Sequence, residues 1–274
     1  MDTCTILMEN TNTGLSSALV EHGLSCLIEA RGIRFLFDTG ATGKFLFNAQ
    51  LVNKDLGGID TVVLSHSHFD HSGGFRFAAE QLPVKRLVTG PGFFNPKYSG
   101  KVPLISYHGC GFDQDFLASH GISHEVVTDR LELAKGLFVV SGFTRSYPFE
   151  TIDRKFVRKE GEKIVADDFQ DEVALVLENE VSLTLFVGCS HPGILSIVKD
   201  VNTRFKKPVT RIIGGAHLNK APYTRLNMTC KELYRLGVHQ TFFCHCSGNV
   251  ITTMLQDRDK VSAYSVSCGD EIIL

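Results

Sequence analysis

Apolar residues in this chain of 274 come in short dense runs, separated by glycines and charged clusters. Residues 4–8, 24–29 and 33–37 are short, largely apolar runs that predict strands, the last two joined through Ala30-Arg31-Gly32 as a hairpin. The run Thr61-Val62-Val63-Leu64 predicts a short buried strand. Apolar positions at helical spacing follow over 43–52 and 75–82. The pattern returns later, with a hairpin of 172–177 and 181–187 across Glu178-Asn179-Glu180, a helix over 192–205 and a strand at 209–213. Pro222 suits the first turn of a helix reaching Leu236. A strand at 240–243, a short helix and strands at 261–266 and 270–274 close the chain. No linker separates autonomous domains, so we expect one domain over 1–274, of α/β class.

Between 91 and 168 this regularity weakens. Prolines 91, 96, 103 and 148, glycines, aromatics and mixed charge predict short strands and turns that partly cover a site. Arg145 and the basic residues from Arg154 to Lys159 could meet an anionic substrate. A solvated charged face is the stronger reading for Lys155, Arg158 and Lys159, whereas Arg145 stands open between the two.

A formal charge of −2 gives no basic footprint, so nucleic acid is not implied. No apolar run approaches the ~20 residues that span a bilayer, and the start Met1-Asp2-Thr3-Cys4 lacks the basic and apolar regions of a signal peptide. Eight cysteines without a repeating framework suit reduced thiols, hence a cytoplasmic protein with no membrane partner.

The chemistry concentrates just after the strand at 61–64, where His66, His68, Asp70 and His71 fall within six residues. A lone histidine in a polar turn is more often a surface residue than a ligand. Three imidazoles and a carboxylate in one strand-tip loop reverse that preference, and suit zinc, iron or manganese better than calcium or magnesium. In an extended loop His66, His68 and Asp70 would share a face, while His71 would need a turn to bring it round. Single histidines also follow three later strands, at His191, His217 and His245. Cys189 shares parity with His191, while Cys244 and Cys246 should turn away from whatever His245 faces. Strands of one sheet bring their tips to one edge, so these histidines would gather there and exceed one tetrahedral shell; two ions ~3.5–4 Å apart then become possible. Asp38-Thr39-Gly40, at another strand tip, either orients a neighbouring loop by hydrogen bonds or caps the helix over 43–52.

The His-x-His-x-Asp-His signature at His66, His68, Asp70 and His71 resembles that of the metallo-β-lactamase superfamily, as does Asp38-Thr39-Gly40. Within it the chain is similar to a dihydropteroate-synthase-like branch that includes ribofuranosylaminobenzene phosphate synthases of methanopterin biosynthesis. That similarity runs through His22-Gly23-Leu24-Ser25, Gly188-Cys189-Ser190-His191, Gly214-Gly215-Ala216-His217-Leu218 and His245-Cys246-Ser247-Gly248. The resemblance implies a four-layer αββα sandwich. His66, His68 and His191 would hold one ion, and Asp70, His71 and His245 a second. Zinc is the first choice of metal, with iron and manganese as alternatives. Many members bridge the ions with an aspartate where this chain has Cys189, leaving water, hydroxide or the thiolate as the bridge. Asp70 and His217 would act in catalysis, with Arg145, His217 and Cys189 near a small anionic substrate and Asp38 supporting the site. The implied activity is metal-dependent hydrolysis of a phosphoester, lactone or thioester. A pterin-transferring synthase and a diiron redox or sensor protein are the alternatives.

Overall fold

Each strand that the apolar runs predict pairs into one of two seven-stranded sheets. The computed structural model describes residues 1–258 and 260–274. The first part holds β1 (Thr3–Met8), β2 (Ser25–Ala30), β3 (Ile33–Phe37), α1 (Lys44–Leu51), β4 (Thr61–Val63), α2 (Phe69–Ser72), α3 (Phe75–Gln81) and β5 (Arg86–Thr89). The middle holds β6 (Lys97–Lys101), β7 (Leu104–Tyr107), α4 (Gln114–Ser119), β8 (Ser123–Val126), β9 (Arg130–Ala134), β10 (Leu137–Val140), β11 (Phe156–Glu160) and β12 (Lys163–Ala166). The last part holds β13 (Ala174–Glu178), β14 (Leu183–Val187), α5 (Ile194–Phe205), β15 (Val209–Gly214), α6 (Tyr223–Arg235), β16 (Gln240–Phe243), α7 (Asn249–Gln256), β17 (Ser262–Ser265) and β18 (Glu271–Ile273).

One sheet runs β18-β1-β2-β3-β4-β5-β8 and the other β17-β16-β15-β14-β13-β10-β9. Each combines antiparallel strands with parallel ones, β3 to β4 to β5 to β8 in the first and β14 to β15 to β16 to β17 in the second. Side-chain alternation makes the layers. Along β13 and β14, Ala174, Val176, Leu183, Leu185 and Val187 pack under α5, α6 and α7 with Ile194, Leu195, Val198, Leu226 and Ile251. Their neighbours Leu175, Leu177 and Phe186 point the other way, against Ile6, Cys26, Ile28, Phe35 and Phe37 of the first sheet. The outer face of that sheet, with Leu7, Leu27, Leu36 and Val62, packs under Phe45 and Ala49 of α1 and Phe75 and Ala78 of α3. The result is helix, sheet, sheet, helix: the αββα sandwich. Strands buried on both faces explain why so many runs are continuously apolar rather than alternating.

The stretch 91–168 divides, and only part of it is a cover. β8 joins the first sheet, and β9 and β10 extend the second. Only β12-β11-β6-β7 form a separate four-stranded sheet, the part that reaches over the strand tips. Pairing explains the split: β10 lies in register with β13 from Leu137↔Leu177 to Val140↔Ala174, so its apolar residues fill the interior. Among the described residues no helix is long and apolar enough to cross a membrane.

Candidate metal centre

The loops leaving β4, β14, β15 and β16 meet at one edge of the sandwich. The rings of His66 and His191 lie 4.9 Å apart between centroids, those of His68 and His191 5.1 Å, and those of His71 and His245 4.8 Å. His217 stands 4.4 Å from His191. All six residues named from the resemblance as ligands are buried here.

Backbone geometry does this locally. After β4 the chain bends over residues 65–67, is extended at His68 and then turns into α2, so a helical turn, not strand parity, sets Asp70 and His71. Ser190, His217 and His245 all take positive φ (60°, 49° and 52°), a costly conformation for residues with a Cβ that collects at functional sites. Asp38, φ 61°, holds the first loop: its Oδ1 accepts from the Ser65 amide (2.7 Å), and its Oδ2 accepts from the Ser65 hydroxyl (2.7 Å) and contacts His71 Nδ1 (2.6 Å). It is not a helix cap, because α1 begins after Gly43 without a side-chain cap.

Two groups of nitrogens differ in state. Burial, with neighbouring positive groups, holds His66, His68 and His191 well below their ordinary pKa, so they are neutral. Their Nε2 atoms are buried and have no hydrogen-bond partner, and neither has Asp70 Oδ1. Unsatisfied buried polar atoms are costly, and four in one cluster fit a metal as the missing partner. His71 is different. Burial opposes its charge, but the Asp38 carboxylate outweighs burial and raises it to about 9. With Nδ1 of His71 on Asp38 and Nδ1 of His245 2.9 Å from Asn10 Oδ1, their Nε2 atoms face each other at 3.1 Å. Two lone pairs at that distance repel unless a proton or a cation sits with them. Donor atoms of His66, Cys189 and His191 lie within 4.8 Å of one another, and so do those of His71, Cys189 and His245. Imidazole, carboxylate and thiol donors of this kind suit a borderline transition metal.

Several supporting residues are given no role at the site by the sequence reading. His22 Nε2 lies 3.1 Å from Asp70 Oδ2, while Asn10 reaches both His22 and His245. Burial disfavours a charged Asp70, yet hydrogen bonds from His22 and His245 outweigh that and hold its carboxyl well below the usual range. The similarity quoted for His22-Gly23-Leu24-Ser25 carries His22 but gives it no role at the site. Phe169 stacks on His191 at 3.7 Å, with Lys97 4.4 Å from its ring centre. Buried Lys97 pairs with Asp171 (2.6 Å) and Asp167 (3.0 Å), and Asp171 accepts from the Ser67 amide. Glu172 accepts from the His191 amide at 3.0 Å, and burial pushes its carboxyl up to about 8.

The cluster opens into a cleft of about 370 Å3. Its walls include His68, His108, Phe156, His217 and Cys246, with Lys155, Lys220 and Arg225 as cations. Three expectations need correction. Arg145 does not line this cleft; its guanidinium is turned to the Glu150 carbonyl. Lys155 does line it, standing directly before β11, while Arg158 is paired with Glu160 and Asp168 and does not line the cleft. Cys246 does not turn away from the site, since the chain enters a short 3-10 turn at His245 and strand parity lapses. Cys244, still in extended backbone, is packed between the sheets as expected.

A domain described as the metallo-beta-lactamase superfamily matches residues 19–205. The chain belongs to that superfamily. It is 30% identical over 260 residues to the 7,8-dihydropterin-6-methyl-4-(beta-D-ribofuranosyl)-aminobenzene-5'-phosphate synthase of Methanocaldococcus jannaschii, covering 91% of this chain and 88% of the relative. Among solved structures it is similar to Tm1679, a metal-dependent hydrolase of the beta-lactamase superfamily, at 26% identity and TM-score 0.85 over 100% of this chain and 99% of the other. Zinc-bound PqqB from Methylobacterium extorquens shares the fold at 13% identity and TM-score 0.56, covering 99% and 100% of the two chains.

Proposed function

We propose that the chain is a metal-dependent hydrolase that holds two ions, zinc as first choice, and acts on a small anionic phosphoester, lactone or thioester. The observation that carries this reading is the set of unpartnered buried atoms, Nε2 of His66, His68 and His191 and Oδ1 of Asp70, beside a cleft with cationic walls. His66, His68 and His191 would hold one ion, and Asp70, His71 and His245 the other. Bound metal would lower the pKa of water towards ~7 and polarise the substrate oxygen. His22 keeps the Asp70 carboxylate oriented through Oδ2, and Asp70 would orient the attacking water besides holding its ion. Lys155, Lys220 and Arg225 would grip the anionic group, and His217 would steady charge developing on the substrate oxygen.

The test is a screen of phosphoesters, lactones and thioesters with zinc-loaded protein. Turnover that chelation removes and His68→Ala abolishes is the expected result. A His68→Ala variant that is metal-free and fully active overturns the reading. Arg225→Ala should raise KM for the anionic substrate roughly 10- to 100-fold, as a lost charged contact of ~1.5–3 kcal/mol implies, with a smaller change in kcat.

A second reading rests on the M. jannaschii relative, whose name is that of a pterin-linked synthase. The same cationic residues would then neutralise a diphosphate leaving group while a carbon–nitrogen bond forms to an aminobenzene. Incubation with a dihydropterin diphosphate and an aminobenzene phosphate, analysed for a joined product and released diphosphate, separates this from hydrolysis.

A further inference from the structure

We propose that Cys189 supplies a thiolate that bridges the two ions, an inference that rests on the two-ion reading above. Cys189 is common to three groups of converging donor atoms, His66–Cys189–His191, His71–Cys189–His245 and Cys189–His217–Cys246, and among the cysteines it alone joins both imidazole pairs named above as ligands. Its Sγ lies 3.2 Å from His71 Nε2. The sulfur is thus placed between two sets of imidazoles rather than beside one of them.

The backbone fixes this position from both sides. The Gly188 carbonyl accepts from the Gly215 amide at 3.1 Å, the Ser190 hydroxyl donates to the Gly215 carbonyl at 2.8 Å, and the His191 amide donates to Glu172 at 3.0 Å. Gly188 permits the close approach: a Cβ there would come 2.0 Å from Ser65 Oγ. The second sulfur of the cleft is engaged elsewhere. Cys246 Sγ accepts the His217 amide at 3.2 Å and leans on the Cys189 carbonyl at 3.8 Å. Cys246 shares a donor group with Cys189 and His217 but with neither imidazole pair, so Cys189 is the bridge and Cys246 the sulfur behind it. On binding, the two metal–sulfur bonds replace the S–H bond and one proton leaves to solvent, with no change of oxidation state. With His68 beside the first pair of imidazoles and Asp70 beside the second, each ion then has four donors from the chain. A thiolate among them favours zinc, iron or cobalt over magnesium or calcium.

The experiment adds cobalt(II) stepwise to metal-free, full-length protein and follows the thiolate-to-cobalt charge-transfer absorption in the near ultraviolet. Both the first and the second equivalent should add to the band, because one sulfur bonds both ions. Cys189→Ser should lose the band while keeping at least one cobalt on its histidines. Cys246→Ala should keep the band. A band that stops growing after one equivalent, a two-cobalt protein with no band, or loss of the band in Cys246→Ala each overturns the bridge and leaves the metal-dependent hydrolase standing. Failure to bind any cobalt or zinc overturns both.

Discussion

Asp38 shows how much one buried carboxylate can decide. It satisfies the Ser65 amide and hydroxyl and orients His71 through Nδ1, with no exposure to solvent. Asp38→Ala should weaken metal binding 10- to 100-fold, the usual effect of removing a group that orients a ligand. It should also cost about 1–3 kcal/mol of stability for the donors left unpaired, read by zinc titration and by urea unfolding. The titratable groups of the centre set a pH profile for the metal-free protein. His71 holds its proton more tightly when folded, at about 9 against an ordinary 6.5. The stability it supplies is complete below 6.5 and lost as pH rises through 9. Glu172, at about 8 against 4.5, works in the same direction, with its contribution complete below 4.5 and lost through 8. His66, His68 and His191 are held below 6.5, so their contribution is present above 6.5 and lost as pH falls. Urea unfolding of the metal-free protein should accordingly give weaker stability both at pH 5 and above pH 9 than near pH 6.5. A monotonic rise in stability through pH 9 would contradict this.

At the scale of elements, the close approach of strand ends sets the site. Gly214, at the end of β15, has φ 121°, and a Cβ there would meet the Val187 carbonyl at 1.9 Å. Gly214→Ala should therefore destabilise by more than ~3 kcal/mol, combining strain with overlap. A shift in the urea midpoint measures it, and a change under 1 kcal/mol would show that the strand ends can separate. The same elements explain what was legible beforehand. The strands bearing the histidine loops are dense apolar runs, so their tips, and the gathering of His66, His191 and His245, could be read from pattern alone. β5, β8 and β9 are harder, because runs such as Arg86-Leu87-Val88-Thr89 and Ser123-His124-Glu125-Val126 carry polar residues at positions that only tertiary pairing makes strand-like, whereas β10, Leu137-Phe138-Val139-Val140, carries the ordinary apolar strand signal. Strand parity also failed at Asp70 and Cys246, where one-turn helices replace extended chain. His22, Asn10 and Asp171 act through contacts 12 to 235 residues away, which no local spacing encodes.

Taken whole, the molecule spreads its donors over both sheets: His66, His68, Asp70 and His71 follow β4 of one, while Cys189, His191 and His245 follow β14 and β16 of the other. Metal bound there would link two halves that otherwise meet through apolar packing and a few hydrogen bonds such as Asn10 to His245 and Ser67 to Asp171. Zinc at a hundred times its dissociation constant should stabilise the fold by about 2.7 kcal/mol and raise Tm by roughly 5–10 °C. A melt unchanged between zinc and chelator would argue against a shared centre. The small β12-β11-β6-β7 sheet stands apart from that linkage. It contributes Lys155 and Phe156 to the cleft but none of the donor side chains. A tie between the two layers is Lys97 of β6, which reaches down to Asp171 and so to the loop that carries His66 and His68: the outer strands of this visor are free to change shape, whereas its β6 edge is anchored to the metal-side loop.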